Sequence, residues 1–522
     1  MKVIQDEAIH IQVSDEMRSN ILKTVEKSHG SGKGVIFYWD YYETAAVANI
    51  IDTAQPNTSL PDIPSPMVRD YKFPGFYKPF DHQKHTASFL SLRRRAFCFN
   101  EAGTGKTSAA IWAADYLMTL GLVKRVLVIC PLSIMKSAWQ DDIFKTAMHR
   151  SCGIAHGAAH KRAKIISGNY DFVIINYDGV AIAYDEIKSG GFDLIIIDEA
   201  NAYKSPSTKR WKTLAKLLTP TTWLWMMTGT PASQSPVDAF GLARLVSPAR
   251  VPKFVTAWRD KVLTQVSRFR WLPKRTSQQD VHGALQPAIR YAKKDCVDLP
   301  SVTYQTRNVP LSPQADKYYK QLKTQFMVEA AGEMITAVNA AASLNKLLQV
   351  SGGAVYTDKR DVVEFDIKPR LSALHEVLDE TTNKVIVFVP YRHTIEVVTR
   401  YLTDQKFSVA VIQGDVSLTE RSQIINNFQR NTEPRVLVIQ PQAASHGVTL
   451  TAADTIVFWS PVMSVETYMQ CVARIDRVGQ QNKMTVVHLE GSEVERKVYK
   501  MLQGKIDNHQ QLVDLYKEEL GL

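Results

Sequence analysis

Cysteine is scarce. Cys98, Cys130, Cys152, Cys296 and Cys471 are the only five in 522 residues, and no two have C-x-x-C spacing. An odd count without paired spacing argues against a disulfide framework and against a zinc site. Buried free thiols in a reducing compartment are expected instead. Long apolar runs are also missing. No stretch approaches the ~18 uninterrupted apolar residues of a membrane-spanning helix. The first ten residues carry Asp6 and Glu7 and lack the apolar core of a signal peptide. The chain is therefore expected in the cytoplasm of a bacterial or phage-infected cell, or in the nucleus if its source is eukaryotic. Acid is in deficit: 52 Asp and Glu stand against 63 Lys and Arg, a net charge of +11. That balance fits a polyanionic partner. No repeat of solenoid period and no low-complexity tract is present.

What is there is alternation. A Pro-rich polar stretch, with Pro56, Pro61, Pro64 and Pro66, reads as a linker closing a small accessory region over residues 1–66. Short apolar runs then recur between helical stretches: Ala96–Asn100, Arg125–Cys130, Asp171–Ile175, Asp193–Ile197 and Leu224–Met227. Unbroken apolar runs of this length suit parallel strands buried on both faces. The alternation stops near Pro248 and resumes at Lys384–Val389, Ser408–Ile412, Arg435–Ile439, Asp454–Phe458 and Lys483–His488. The pattern predicts an α/β chain with two tandem doubly wound parallel sheets. The expected divisions are a first α/β domain over 67–249, a helical insert over 250–350, and a second α/β domain with C-terminal helices over 351–522.

The first apolar run leads into Asn100-Glu101-Ala102-Gly103-Thr104-Gly105-Lys106-Thr107 and then a helix. Strand, Gly-rich loop and helix N-terminus in that order make a phosphate cradle, because backbone N–H groups converge on the anion. Lys106 would reach the β- and γ-phosphates of ATP, and Thr107 would place its hydroxyl on Mg²⁺. Asn100 stands where the general pattern has its first Gly. Asp193–Ile197 ends in Asp198-Glu199, at the strand end where such sheets put ligand chemistry. Asp198 would hold Mg²⁺, partly through water, and Glu199 would orient and deprotonate the attacking water. Thr228-Gly229-Thr230-Pro231 follows the next strand and would couple to the acidic pair, although a plain turn reads the same way.

In the second half, Gln470 to Gln480 reads as a helix. On it Arg474 and Arg477 lie three apart and share a face with Gln470. Two guanidinium groups on one face suit a phosphate in its transition state; a solvated, salt-bridged surface helix is the plainer alternative. Gln442 to Leu450, with Ser445 and Gly447, is small enough to lie near both nucleotide and nucleic acid.

These strings resemble the superfamily-two, helicase-like motors of the Swi/Snf type over roughly residues 75–500. Phe80-Asp81-His82-Gln83 resembles the family's leading motif, which implies that Gln83 contacts adenine. Cys130 to Ile134 with Trp139, and Ile175 to Asp178, resemble motifs that touch the nucleic-acid backbone. Asn201 replaces the His that usually follows Asp-Glu-Ala. Arg290 to Pro300 resembles an R-x-x-K-x-D segment of this type. Gln470 to Gln480 matches Q-x-x-x-R-x-x-R-x-G-Q, and Trp459-Ser460-Pro461 stands where W-N-P is common. The resemblance implies two RecA-like domains, ATP and Mg²⁺ as cofactors, and DNA contacts from Ser133, Lys136, Tyr177, Ser445 and Trp459.

The expected activity is that of a DNA-dependent ATPase, a monomer that translocates on duplex DNA and remodels forked or branched DNA. Two alternatives are a DNA-tracking motor that displaces a bound protein and a module that binds DNA without hydrolysis. RNA as the track is a third.

Overall fold

Each short apolar run becomes a strand of a parallel sheet in the computed structural model. It describes the chain except residues 54–62, 230, 233–234, 268–269, 297–299, 333–336, 357–360, 445–448, 478 and 505–522. The chain divides into two units, Met1–Val297 and Asp298–Leu522.

Unit 1 opens with a small antiparallel sheet, β1 (Lys2–Ile4), β2 (Ala8–Gln12), β3 (Ser28–Ser31) and β4 (Gly34–Tyr38), in the order β1-β2-β4-β3. Period-two alternation puts Ile9 and Ile11 of β2 and Val35 and Phe37 of β4 into one core. Met17 and Ile21 of the helix Asp15–Thr24 close over it, with Val47 and Ile51 of the helix Tyr41–Thr53. This accessory region is fastened to the rest of unit 1. Arg93 grips the Asp52 carboxylate with two bonds of 2.8 and 3.2 Å. The Tyr41 hydroxyl donates to the Ser91 carbonyl at 2.9 Å, and the Trp39 indole to Pro64 at 2.8 Å.

The larger sheet of unit 1 holds β5 (Arg95–Cys98), β6 (Val126–Cys130), β7 (Cys152–Ala155), β8 (Phe172–Asn176), β9 (Leu194–Asp198) and β10 (Trp223–Met227). A hairpin follows, β11 (Leu263–Ser267) and β12 (Arg270–Pro273), and then the two-residue β13 (Ala288–Ile289) joins the large sheet beside β5. The order is β13-β5-β10-β9-β6-β8-β7, and every pairing is parallel. β6, β9 and β10 are buried along their whole length, which is why they carry no polar alternation.

Unit 2 begins with β14 (Val302–Asn308), continues through a short hairpin, β15 (Ala354–Tyr356) and β16 (Val362–Glu364), and completes its sheet with β17 (Lys384–Phe388), β18 (Val409–Ile412), β19 (Val436–Ile439), β20 (Ala453–Phe458) and β21 (Met484–Glu490). That sheet is six-stranded and parallel, in the order β14-β21-β20-β17-β19-β18. The stretch read as one helical insert over 250–350 is shared between the units. Ala288 and Ile289 pair into the first sheet, whereas β14 runs beside β21 for seven residues and Leu344, Leu347 and Leu348 enter the second core. β14 escapes an apolar-run reading because its middle, Thr303 to Thr306, is exposed and polar. No described helix is long and apolar enough to cross a membrane.

Candidate nucleotide site

Three chemical motifs of unit 1 leave the sheet at one edge because their strands are in register. Cys98 of β5 is level with Met227 of β10, and Met227 with Asp198 of β9. The loop after β5, the turn after β10 and Glu199 after β9 therefore emerge side by side at carboxyl strand ends, the ligand edge of such sheets. The Thr228 amide donates to the Cys98 carbonyl at 3.1 Å. A Cβ on Gly229 would stand 3.4 Å from the Ala102 nitrogen, so the Thr228-Gly229 turn lies against the loop backbone.

The loop has the backbone of a cradle. Gly103 and Gly105 take φ of 86° and 75°, in the left-handed region that glycine tolerates. The helix Lys106–Thr119 starts directly afterwards, so Lys106 and Thr107 form its first turn. A Cβ at Gly105 would come within 2.0 Å of Gln83 Nε2, a second reason for glycine there. Gln83 is buried. Its Nε2 donates to the Thr104 carbonyl at 3.3 Å, and its Oε1 accepts from the Phe80 amide at 2.9 Å. His82 Nε2 approaches the same carbonyl at 2.8 Å. Gln83 therefore braces the loop; the adenine contact expected of it is a separate role.

Asn100 shows why the missing first Gly is tolerated. Its side chain bonds Thr86 Oγ1 at 2.8 Å and accepts from the Tyr291 amide at 3.0 Å, while Glu101 accepts from the Lys293 amide at 3.1 Å. The Arg290–Lys294 segment is thus laid along the loop's entry. The helix behind the loop is pinned by Asp115, nearly fully buried, which accepts from Arg150 at 2.6 Å and lies 2.9 Å from His149 Nε2.

The acidic pair is held from three sides. The Trp139 indole donates to Asp198 Oδ2 at 3.0 Å, the Glu199 amide to Oδ1 at 3.0 Å, and the Tyr177 hydroxyl to the Asp198 carbonyl at 2.6 Å. Glu199 adopts φ 51° and ψ 58°, a left-handed conformation that costs a non-glycine residue about 1–3 kcal/mol and that clusters at functional sites. Burial pushes the Cys98 thiol up to about 11. The Lys106 ammonium opposes that shift and the Asp198 carboxylate adds to it, so both charges act on one thiol. Tyr177 is held well above its ordinary range by burial and then by the Glu199 and Asp198 carboxylates. The side chains present fit a nucleotide with its metal: a glycine cradle, a lysine and threonine at a helix N-terminus, and a carboxylate two strands away.

Two nucleic-acid expectations change. Trp459 is not a surface residue: it is 0% exposed, and its indole donates to the Gly352 carbonyl at 2.9 Å. It continues the buried β20 and packs into the unit 2 core, which removes it from any DNA surface. Tyr177 spends its hydroxyl on the backbone of Asp198 and Glu199 and is partly buried. Ser133 lies in a 3₁₀ turn, and the exposed Lys136 follows it. Thr230, Ser445 and Gly447 lie outside the described residues. Trp139 was read only as part of a DNA motif; its bond to Asp198 is a long-range contact that no local pattern encodes.

In unit 2 the helix expected through Gln480 stops at Val472. Arg474 and Arg477 therefore do not share a helical face with Gln470. The helix gives way to a folded turn whose bonds replace helical ones. Arg474, 4% exposed, donates from Nε to the Gln470 carbonyl at 2.6 Å, and its own carbonyl accepts from the Leu450 amide at 2.9 Å. Arg477 donates to Thr449 Oγ1 at 3.0 Å. Buried Gln480 ties the turn's exit to Ala453 at 2.8 Å. Tertiary contact with residues 449–453 sets the two arginines.

The SNF2-related domain matches residues 82–352, and the helicase conserved C-terminal domain matches residues 369–479. The chain is 25% identical over 427 residues to the mouse (Mus musculus) chromodomain-helicase-DNA-binding protein 1-like, covering 78% of this chain and 46% of that one. It is 25% identical over 438 residues to a putative protein of Acyrthosiphon pisum secondary endosymbiont phage 1, covering 79% and 92%. An uncharacterised ATP-dependent helicase of Mycoplasma genitalium is 25% identical over 401 residues, covering 75% and 37%. The chain thus spans less than half of the mouse and mycoplasma relatives and nearly all of the phage one. Among solved structures it is similar to a Sulfolobus solfataricus SWI2/SNF2 ATPase core in complex with dsDNA, at 20% identity, 86% of this chain, 95% of that chain and a TM-score of 0.41.

Proposed function

The chain belongs to the SNF2-related family, superfamily-two ATPases built on two RecA-like domains, and on that premise we propose that it is a DNA-stimulated ATPase that translocates on duplex DNA and remodels forked or branched DNA. The observation that carries this reading is the meeting of the glycine cradle, Asp198-Glu199 and the Thr228-Gly229 turn at one sheet edge.

In this reading the amides of Ala102 to Thr107 bind phosphate, and Lys106 neutralises the β- and γ-oxygens. Thr107 and Asp198 are the residues that would hold Mg²⁺, which screens phosphate charge when bound. Glu199 orients the attacking water and accepts its proton. Gln83 braces the cradle from the adenine side. Thr228 and Gly229, pressed on the cradle, relay its state. Arg474 and Arg477 supply positive charge to the transition state, a role worth ~10³ to 10⁵ in rate in phosphoryl transfer, and the neutral Gln470 side chain adds hydrogen bonding. A net charge of +11 supports a phosphate-backbone track. Ser133 and Lys136 are the described residues retained as track contacts.

The test is ATP hydrolysis with no nucleic acid, linear duplex, single strand, forked DNA and RNA. Stimulation by duplex and forked DNA, abolished by Lys106→Ala, is expected. Arg477→Ala should lose turnover by at least a hundredfold while binding ATP within a fewfold of wild type. Stimulation by RNA alone, or wild-type turnover in Lys106→Ala, would refute the reading. A second reading is favoured by the names of two relatives, a chromatin-remodelling factor of Arabidopsis thaliana and a chromatin-remodelling complex ATPase of Saccharomyces cerevisiae: the motor displaces a DNA-bound protein. Strand exchange on protein-free forks separates the two, since only a branch remodeller needs no bound obstacle.

A further inference from the structure

More than half of the chain's net charge sits in one short segment of unit 1. Between Lys253 and Arg275 there are seven Lys and Arg and a single acid, Asp260, a local net of +6 in a chain whose total is +11. The segment contains the helix Val255–Val262 and the hairpin β11–β12, remote in sequence from every motif assigned above. Two of its cations are matched by carboxylates: Lys261 pairs with Asp280 at 3.0 Å and Arg259 with Asp260 at 3.4 Å. Among the described residues no ion pair engages Lys253, Lys274 or Arg275, and all three are exposed.

Apolar surface lies among these cations. Phe254 is 65% exposed and Val266 of the hairpin 55%. Trp271 of β12 is half-buried under the Arg259 guanidinium, 4.4 Å from its ring centre. Cations outside ion pairs, with Lys253 5.6 Å from the Phe254 ring centre and Lys274 donating to the Asp260 carbonyl at 2.6 Å, together with exposed aromatic and apolar groups make a surface that binds phosphate and stacks on bases. A linear duplex offers only phosphates, because its bases are already stacked. A fork or branch offers both.

The root of the hairpin is tied to the ATP machinery. Trp258, fully buried, donates to the Pro236 carbonyl at 3.2 Å. Pro236–Asp238 begins five residues after Pro231, and Asp238 accepts from Lys204, five residues beyond Glu199, at 3.4 Å. The Lys274 amide closes the hairpin's base on the Val262 carbonyl at 3.0 Å.

We propose that the exposed residues Lys253, Phe254, Val266, Lys274 and Arg275 form a second DNA-binding element, which engages the phosphates and unstacked bases of a fork or branch and makes forked DNA the preferred activator. This rests on the reading of the chain as a DNA motor.

The test compares the full chain with Lys253→Ala/Lys274→Ala/Arg275→Ala and, separately, with Phe254→Ala. Fluorescence anisotropy is measured on labelled forked DNA with single-stranded arms and on linear duplex of the same length, without nucleotide and across a salt series. ATPase is measured on the same DNAs. The triple variant should bind the fork at least tenfold more weakly. Its log–log salt slope on the fork should be shallower by about 2 to 3, at roughly 0.9 per lost phosphate contact. Linear-duplex binding should weaken several-fold less than fork binding, and ATPase without DNA should stay within twofold. Phe254→Ala should weaken fork binding with no change of salt slope. Equal losses on fork and linear duplex, or no loss on either, overturn the proposal. If wild type shows no DNA-stimulated ATPase the motor reading fails, and the fork-against-linear anisotropy still decides the hairpin.

Discussion

Trp139 carries a specific burden at the scale of one residue. Its ring is fully buried, and its one polar atom goes to the Asp198 carboxylate. Trp139→Phe removes a donor from a buried carboxylate and keeps most of the packing. A loss of about 1–3 kcal/mol is expected, with an ATPase that needs more Mg²⁺ for half its maximal rate. A Mg²⁺ titration identical to wild type would take Trp139 out of the site's support. His488 makes a second single-residue case. Burial holds it down at about 4 from an ordinary 6.5, with Nε2 3.0 Å from the Tyr468 hydroxyl and its ring stacked on Tyr499. The unfolded chain takes up this proton first, so the stability His488 contributes is complete above about pH 6.5 and is lost as the pH falls toward 4. His488→Gln should flatten the unfolding midpoint of unit 2 across that window, removing a slope worth on the order of 3 kcal/mol.

At the scale of elements, the helix Glu493–Gln503 is the clearest example of one buried pair setting a position. Arg370 meets both Glu495 oxygens at 2.9 Å with the two side chains 3% and 0% exposed. The same carboxylate accepts from the Gly491 and Ser492 amides at 2.8 and 3.2 Å. Removing one partner strands a buried charge, so Arg370→Ala should cost about 3–5 kcal/mol, seen as an earlier urea midpoint for unit 2. Arg370→Ala with Glu495→Ala should recover part of that loss; a double variant no more stable than the single would argue against stranded charge as the cause. Element readings from the sequence succeeded where burial is total. The run Asp193–Ile197 becomes β9 at 194–198, and Lys384–Val389 becomes β17 at 384–388. They failed where it is not. β7 has a single large apolar residue, Ile154, among small ones, β14 mixes polar and apolar residues, and β13 is two residues long, so no periodicity marks them. The helix through Arg474 and Arg477 was a fair local reading that the contacts of Leu450 and Thr449 override.

For the whole molecule, the net charge of +11 and the proposed movement over DNA of any sequence both point to phosphate contacts. DNA stimulation should therefore weaken steeply between 50 and 200 mM salt, by about 10³ or more in affinity if six or more phosphates are neutralised. Affinity unchanged across that range would contradict a backbone-tracking motor. The accessory sheet of residues 1–53 is fastened to unit 1 through Asp52, Tyr41 and Trp39, and packing on the first motor domain is the role its contacts support.

The sequence by itself determined the α/β class, the two sheets and the identity of the phosphate loop and acidic pair. Those depend on local order: a buried parallel strand must be apolar throughout, and a cradle needs glycines between strand and helix. Only the tertiary structure decided that Trp139 and Tyr177 serve Asp198 and Glu199, that Trp459 is core, and that Arg474 and Arg477 sit on a turn. Each of those depends on partners tens to hundreds of residues away, whose direction of approach is set by sheet register and helix packing and leaves no periodic mark along the chain.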